Sequence, residues 1–274
     1  MATLEGARAS AAAPSGFSAA LDRVGGRAAG VASFVGFVAL WQLVVWITGI
    51  NPILLPSPAS VIAQFIEVAR IGLLVPAILE SLRGLAIGLS LALAVGIIAG
   101  LVIGASSWLQ MLTGPYLWAL FATPRLALLP LIVLWLGFGL ETKILMVFLS
   151  AVLPVTLSCK EGVQTVDESL VRAARSFGAG RVDLFKHVVI PFTLPFIANA
   201  IRNGISRGFV GLLIVEMRVS AGGIGTQVMR AMRSFNTARM FAFVAVLIIT
   251  ALTLISLSRM FETRVSRWRE EVYL

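Results

Sequence analysis

The sequence of 274 residues is poor in the residue types from which most chemical sites are built. It has one cysteine, Cys159, and one histidine, His187. A lone cysteine excludes an internal disulfide bond, and so few soft ligands, far from any carboxylate cluster, argue against a metal site. Charged residues are also scarce, at 13% against 58% hydrophobic, and the mean hydropathy is +0.96. This composition predicts an integral membrane protein.

Motifs for catalysis are lacking as well. None of the three lysines, Lys143, Lys160 and Lys186, lies in a G-x-x-x-x-G-K-[ST] loop, and neither G-x-S-x-G nor H-E-x-x-H occurs. We therefore expect no enzymatic activity and no cofactor bound by this chain. The net charge of +9 does not indicate nucleic acid, because Lys and Arg cluster at the ends of apolar segments, as they do on the cytoplasmic side of membrane proteins.

The apolar segments predict an all-α protein with six transmembrane helices. Residues 1–28 have no apolar core and are predicted to be a disordered cytoplasmic tail, and residues 261–274 a second cytoplasmic tail. Residues 59–81 carry scattered charges and predict an amphipathic helix at the outer surface. Prolines break the third crossing, which also holds Arg125. Within the membrane domain, 29–260, the predicted spans are 31–50, 82–104, 116–137, 142–158, 194–217 and 239–258.

Glycines of the second span recur at multiples of four residues, which predicts a ridge for close helix packing. The charges predict that both termini and the segment 159–190 lie in the cytoplasm. The segment 218–239 disagrees, because it carries four arginines and yet falls outside. Two explanations stay open: these charges meet an anion or an acidic partner, or the number of spans is wrong there. The ridge glycines are Gly84, Gly88, Gly96, Gly100 and Gly104.

The longest polar interruption runs from Glu161 to Pro195. Thr165 and Glu168 have the T-x-x-E spacing of a capping box, which predicts a helix start. Gly178 is placed for a left-handed C-terminal cap, and Pro191 is expected to stop a second short helix. The pattern predicts an amphipathic helix–turn–helix between two spans, suited to the groove of a partner protein.

This stretch resembles the EAA loop of binding-protein-dependent ABC importer permeases, with Arg172 in place of the glutamate of the pattern. The resemblance implies that the loop, 161–191, contains the coupling helix that docks on an ATP-hydrolysing subunit. The residues in register with the pattern, and hence the expected docking residues, are Ala173, Ala174, Gly178, Ala179, Phe185, Val188, Ile190 and Pro191.

Further stretches are similar to the nitrate/sulfonate/taurine subgroup of these permeases: LPSP at 55–58, PRLALLPLIVLWLGFG at 124–139, IRNGISRGFVGLLIVEM at 201–217 and GGIG at 222–225. The resemblance implies a type I importer permease (MetI-like) fold in the cytoplasmic (inner) membrane of a bacterium. It implies a permease homodimer in lipid, ATPase subunits that hold ATP and Mg²⁺, and a periplasmic or lipoprotein substrate-binding protein. The expected cargo is a small anionic solute.

Three charged residues within predicted spans, Arg125, Arg207 and Glu216, are candidates for the translocation pathway. An arginine at membrane depth should face protein or water, although both arginines could instead snorkel towards an interface. Two other functions stay open: an ion-coupled secondary transporter that acts alone, and a membrane scaffold that recruits a partner without transport.

Overall fold

The structure is a computed structural model that describes the backbone of residues 16–219 and 222–265 and the side chains of 28–219 and 222–260. These residues form helices and contain no strand. A 3₁₀ turn, Arg125–Leu128, and a π-helical segment, Phe185–Val189, interrupt the α-helices. The α-helices are α1 Gly16–Thr48, α2 Pro58–Arg70, α3 Leu74–Gly104, α4 Ser107–Ala122, α5 Leu129–Leu136, α6 Leu140–Gln164, α7 Glu168–Ser176, α8 Arg181–Leu184, α9 Ile190–Arg218, α10 Ile224–Arg233 and α11 Thr237–Val265.

Five helical stretches of the described chain are long and apolar enough to cross a membrane: 28–48, 74–104, 140–164, 181–218 and 237–260. A sixth arises if α4 and the stretch 125–136, which meet at a bend of 80°, form one span. The bend follows from Pro124, which disfavours the helical conformation at the residue before it. Thr123 is accordingly extended, with φ −67° and ψ 125°.

The centre of the bundle is α6, which packs between α3 and α9 through glycines. The ridge glycines of α3 face α6 so closely that a Cβ on Gly88 would lie 2.6 Å from the carbonyl oxygen of Ile144, and one on Gly100 2.5 Å from that of Thr156. Gly208, on α9, faces Val147 of α6. Small residues thus allow the three helix backbones to approach, which is a common basis of helix association in membranes.

Helix α10 covers one end of this three-helix core, and α11, itself long enough to cross a membrane, packs alongside it. Its main apolar cluster joins Leu85 of α3, Val147 of α6, Leu212 of α9, Val228 of α10 and Phe243 of α11. The short helices α7 and α8 lie at the opposite end, between α6 and α9 in the chain. The two ends are called below the α10 end and the α7–α8 end.

Several predicted boundaries are wrong. The second span starts at Leu74 rather than 82, because the stretch 59–81 divides into α2 and the first turns of α3. Gly72, with φ +72°, allows the sharp turn between them. Helix α1 begins at Gly16, so residues 16–28 are helical rather than disordered; residues 1–15 lie outside the described part.

Helical packing also extends other elements past their expected ends. Helix α6 continues to Gln164, so the polar loop predicted for 161–191 begins at Thr165. The segment 218–239 holds α10, and the backbone of α11 continues to Val265, inside the stretch predicted as a tail. The remainder of that predicted tail, 266–274, lies outside the described residues.

Candidate functional site

The helix–turn–helix begins with a different N-cap from the one predicted from the sequence. The carboxylate of Asp167 accepts a hydrogen bond of 2.7 Å from the backbone N–H of Ser169 and caps α7. That hydrogen bond lowers the pKa of Asp167. The predicted capping box is wrong, because α6 continues to Gln164 and Thr165 is its C-cap. The Thr165 hydroxyl donates to the carbonyl of Gly162 instead.

The turn at Gly178 is confirmed as a left-handed cap. Its φ is +83°, and its N–H donates to the carbonyl of Arg175 at 2.9 Å. The next N–H, of Ala179, donates to the carbonyl of Ala174 at 3.1 Å. These two bonds are those of a Schellman motif, which ends α7 and reverses the chain into α8.

The expected stop at Pro191 is wrong. Residues 181–218 form one continuous helical stretch, and the π segment 185–189 precedes the proline. In that segment the N–H of Ile190 donates to the carbonyl of Phe185, five residues back. The wider turn changes the hydrogen-bond register immediately before Pro191, which falls in the first turn of α9. The second short helix is therefore rigidly joined to a span.

The predicted docking residues lie on this element but do not form one exposed face. Ala173 and Gly178 are exposed, whereas Ala174, Ala179, Phe185, Val188, Ile190 and Pro191 are half-buried. The apolar side chains that project furthest are Phe177, which is 92% exposed, and Val182, which is 77% exposed. They flank the Gly178 turn. Neither residue is among the docking residues predicted from the sequence.

A second site, at the α10 end, centres on a buried lysine. Lys143 of α6 is 1% exposed, and its Nζ lies 2.8 Å from Glu80 Oε1 and 3.4 Å from Glu216 Oε1. The same amino group donates to the carbonyl of Gly222 at 2.9 Å. Lys143 is not among the site residues predicted from the sequence. Its position inside an apolar stretch is the sequence feature that could have indicated a functional or paired charge.

Glu216 is tied to the glycine-rich turn that opens α10. Its carboxylate accepts hydrogen bonds from Ser81 Oγ at 2.8 Å and from the N–H of Gly225 at 2.9 Å. Ser81 Oγ in turn accepts a bond of 2.9 Å from the N–H of Ile224. A carboxylate against the first N–H groups of a helix is favourably placed. The network thus joins α3, α6, α9 and α10.

Of the three pathway candidates, Glu216 is held in the buried network at the α10 end, whereas Arg125 is not part of that network. The guanidinium of Arg125 lies over the ring of Phe121, 5.8 Å from its centroid. Among the described residues, its buried Nη2 has no hydrogen-bond partner. That buried N–H group is left unsatisfied, which is rare in folded proteins.

The geometry defines a multi-pass membrane protein whose helical core carries a rigid helix–turn–helix at one end. Residues 92–269 match the family described as "Binding-protein-dependent transport system inner membrane component". The chain belongs to this family. It is accordingly the transmembrane permease subunit of an ABC importer. ATP hydrolysis resides in a separate subunit, and a substrate-binding protein is the other partner that the family implies.

Three bacterial relatives are permease proteins of transport systems. The chain is 32% identical over 231 residues to the riboflavin transport system permease protein RibX of Chloroflexus aurantiacus, covering 84% of this chain and 86% of the relative. It is 30% identical over 240 residues to the taurine transport system permease protein TauC of Escherichia coli, covering 86% and 87%. It is 34% identical over 203 residues to the putative aliphatic sulfonates transport permease protein SsuC of Escherichia coli, covering 74% and 77%.

The fold is that of known importer permeases. The inward-facing MetNI methionine ABC transporter superposes with a TM-score of 0.63 over 72% of this chain and 98% of that chain, at 17% identity. An amino acid ABC transporter superposes with a TM-score of 0.54, at 18% identity, over 72% of this chain and 96% of that chain. The predicted MetI-like fold class is confirmed.

Proposed function

We propose that two copies of this chain form the pathway by which a small anionic solute enters a bacterium across its cytoplasmic membrane. The observation that carries the anionic assignment is the pair Arg125 and Arg207, with the unpartnered Nη2 of Arg125. A buried N–H group without an acceptor is costly, and a passing anion would accept a hydrogen bond from it. Relatives named for taurine and aliphatic sulfonates support this assignment.

The energy of ATP hydrolysis reaches the permease through the helix–turn–helix. Phe177 and Val182 insert into a cleft of the ATPase subunit, and the docking residues predicted from the sequence surround them. ATP and Mg²⁺ are held by that subunit, and this chain binds no nucleotide. Because α8 continues through the π segment into α9, a movement of the docked element is passed directly to a span. The pathway then alternates between its two openings.

In this arrangement both termini and the α7–α8 end face the cytoplasm, and the α10 end faces the substrate-binding protein. Lipid surrounds the exposed apolar faces of the permease dimer. Glu216 serves the pathway through α10, which its carboxylate holds in place, rather than by touching the solute. Selection of the cargo is shared with the substrate-binding protein.

The test is uptake by proteoliposomes that contain the permease, its ATPase subunit and its binding protein. Taurine, butane-1-sulfonate and nitrate are the probes, and ionophores collapse all ion gradients. We expect uptake of at least one probe that requires ATP. Uptake that persists without ATP and follows an imposed ion gradient would identify a secondary transporter instead. An assembled complex that moves none of the three probes would remove the anionic assignment.

A further inference from the structure

A stripe of polar side chains lies on one side of α9, at the middle of its length. Asn203, Ser206 and Arg207 are exposed residues, and their spacing of three and four residues places them on the same side of the helix. The helix extends over Ile190–Arg218. At a rise of about 1.5 Å per residue, Asn203 lies about 20 Å from one end of α9 and about 22 Å from the other. The stripe is therefore at mid-membrane depth.

The depth of these side chains decides what they face. The hydrocarbon core of a bilayer is about 30 Å thick, so the middle of a span lies about 15 Å from either headgroup region. The amide of Asn203 is too short to reach that region, unlike the end of a long basic side chain. Within the described residues, neither Asn203 nor Arg207 takes part in a side-chain hydrogen bond or an ion pair. Polar groups at this depth face protein or water rather than lipid.

The core of the chain occupies a different side of α9. Gly204 and Gly208, which directly follow Asn203 and Arg207 in the sequence, are both buried. A Cβ on Gly204 would lie 3.0 Å from a methyl group of Val155 on α6. Each of these two turns thus has a glycine packed on α6 and a polar residue directed away from the core. The polar stripe is left to water or to a second copy of the chain.

The exposed side of α3 has the composition expected where a helix contacts lipid. Ile87, Leu91 and Val95 are exposed apolar side chains on successive turns in the middle of α3. Such side chains need no partner in a membrane, because lipid tails are equally apolar. At the same depth α9 exposes an amide, a hydroxyl and a guanidinium group instead. The two helices therefore face different surroundings.

Towards the α10 end the same side of α9 becomes apolar and borders a cavity. Val210, Ile214 and Met217 continue the stripe, and together with Leu126 they are among the residues that line a cavity of about 470 Å³. Val210 is three residues beyond Arg207, or about 4–5 Å along the helix axis. A solute that passes this cavity reaches the polar stripe within one helical turn.

We propose that Asn203 and Arg207 form a mid-membrane binding site for the oxoanion group of the solute, in an aqueous space between two copies of the chain. The guanidinium group of Arg207 supplies the charge and the paired N–H donors that suit oxoanions. The amide of Asn203 donates to another oxygen of the same group, because Cβ atoms four residues apart on a helix are about 5–6 Å from each other. The site rests on the proposed function, because it requires the permease dimer and an anionic solute.

The first measurement is access of water-soluble reagents to the stripe, in proteoliposomes with the permease, its ATPase subunit and its binding protein during ATP hydrolysis. Asn203→Cys and the control Leu91→Cys are treated from both sides with anionic sulfonatoethyl and cationic trimethylammonioethyl methanethiosulfonate. The wild type, whose single cysteine Cys159 is buried, gives the background. Only Asn203→Cys should react above it. Adding Arg207→Gln should lower the ratio of anionic to cationic reaction rates by about threefold or more, because a nearby positive charge concentrates anions.

The second measurement is ATP-dependent uptake of butane-1-sulfonate by the same proteoliposomes. Asn203→Leu should lower the uptake rate by about tenfold or more, because it removes a hydrogen bond to a charged group. Asn203→Gln keeps the amide donors and should retain most of the rate. Both variants should unfold near the wild-type temperature, since the Asn203 side chain makes no contact that holds the subunit together.

Equal modification of Asn203→Cys and Leu91→Cys would overturn the site, and so would equal uptake by Asn203→Leu and Asn203→Gln. An unchanged rate ratio in the presence of Arg207→Gln would do the same. If Asn203→Cys does not assemble with the ATPase, Ser206→Cys, on the same side of α9, takes its place. A complex that imports a sulfonate with ATP but fails these measurements retracts only this site. A complex that imports no anion, yet contains a reactive Asn203→Cys, refutes the anionic cargo and leaves the aqueous position of Asn203 established.

Discussion

The amino group of Lys143 lies 3.4 Å from a carboxylate oxygen of Glu216, and both side chains are at most 1% exposed. Glu80 is the second acidic partner, and its side chain is 48% exposed. Since the two carboxylates share one ammonium group, the lysine is the member whose loss leaves the most uncompensated charge. Because Lys143 lies between three elements, it links α10 to the three-helix core.

Lys143→Met should lower the free energy of unfolding by about 3–5 kcal/mol, because it leaves Glu216 buried without its cation. Thermal unfolding of the detergent-solubilised permease measures the loss. Lys186→Met, at an exposed site, is the control and should unfold near the wild-type temperature. The double variant Lys143→Met/Glu216→Gln should recover part of the loss. An additive result in the double-mutant cycle would show that the pair is not coupled.

Gly100→Ala should destabilise the permease by about 1–3 kcal/mol, as overpacking does in close-packed interiors. The added Cβ would meet the carbonyl oxygen of Thr156 at 2.5 Å, and backbone cannot move aside as a flexible side chain can. Gly114→Ala is the control, because nothing lies within 4 Å of its Cβ position. It should be neutral or slightly stabilising. Equal unfolding temperatures for the two variants would contradict the close approach of α3 and α6.

Local signals in the sequence predicted the helical class, the glycine ridge and the Gly178 cap, because each depends on neighbours within a few residues. They failed where tertiary packing decides. The T-x-x-E spacing at Thr165 is a valid start signal, but α6 continues to Gln164 and takes Thr165 as its C-cap. Pro191 is a valid stop signal, but the π segment before it shifts the hydrogen-bond register, and the helix continues. The partners of Lys143 are 63 and 73 residues away, and no local period connects them.

Gly178→Val should leave the permease inserted but lose the ATPase subunit. Valine is strained at φ +83°, by about 1–3 kcal/mol, so the Schellman turn opens and α8 leaves its position. Co-purification of the ATPase with tagged permease measures the effect. Gly36→Val is the control, because its position in α1 has open space and no positive φ. Recovery of the ATPase at the wild-type ratio from Gly178→Val would refute docking through this turn.

Phe177→Ser separates docking from folding. Its side chain is 92% exposed in the single subunit, so its removal should change the unfolding temperature little. An aromatic side chain that enters a partner's pocket contributes about 2 kcal/mol or more to binding, so the ATPase should dissociate roughly thirtyfold more readily. Phe235→Ser removes another exposed phenylalanine, 73% exposed, at the α10 end, and should keep the ATPase bound. Affinity is measured by titrating the purified ATPase onto permease in nanodiscs. If both variants bind equally, the ATPase contacts another part of the α7–α8 end, and Val182→Ser becomes the variant that locates it.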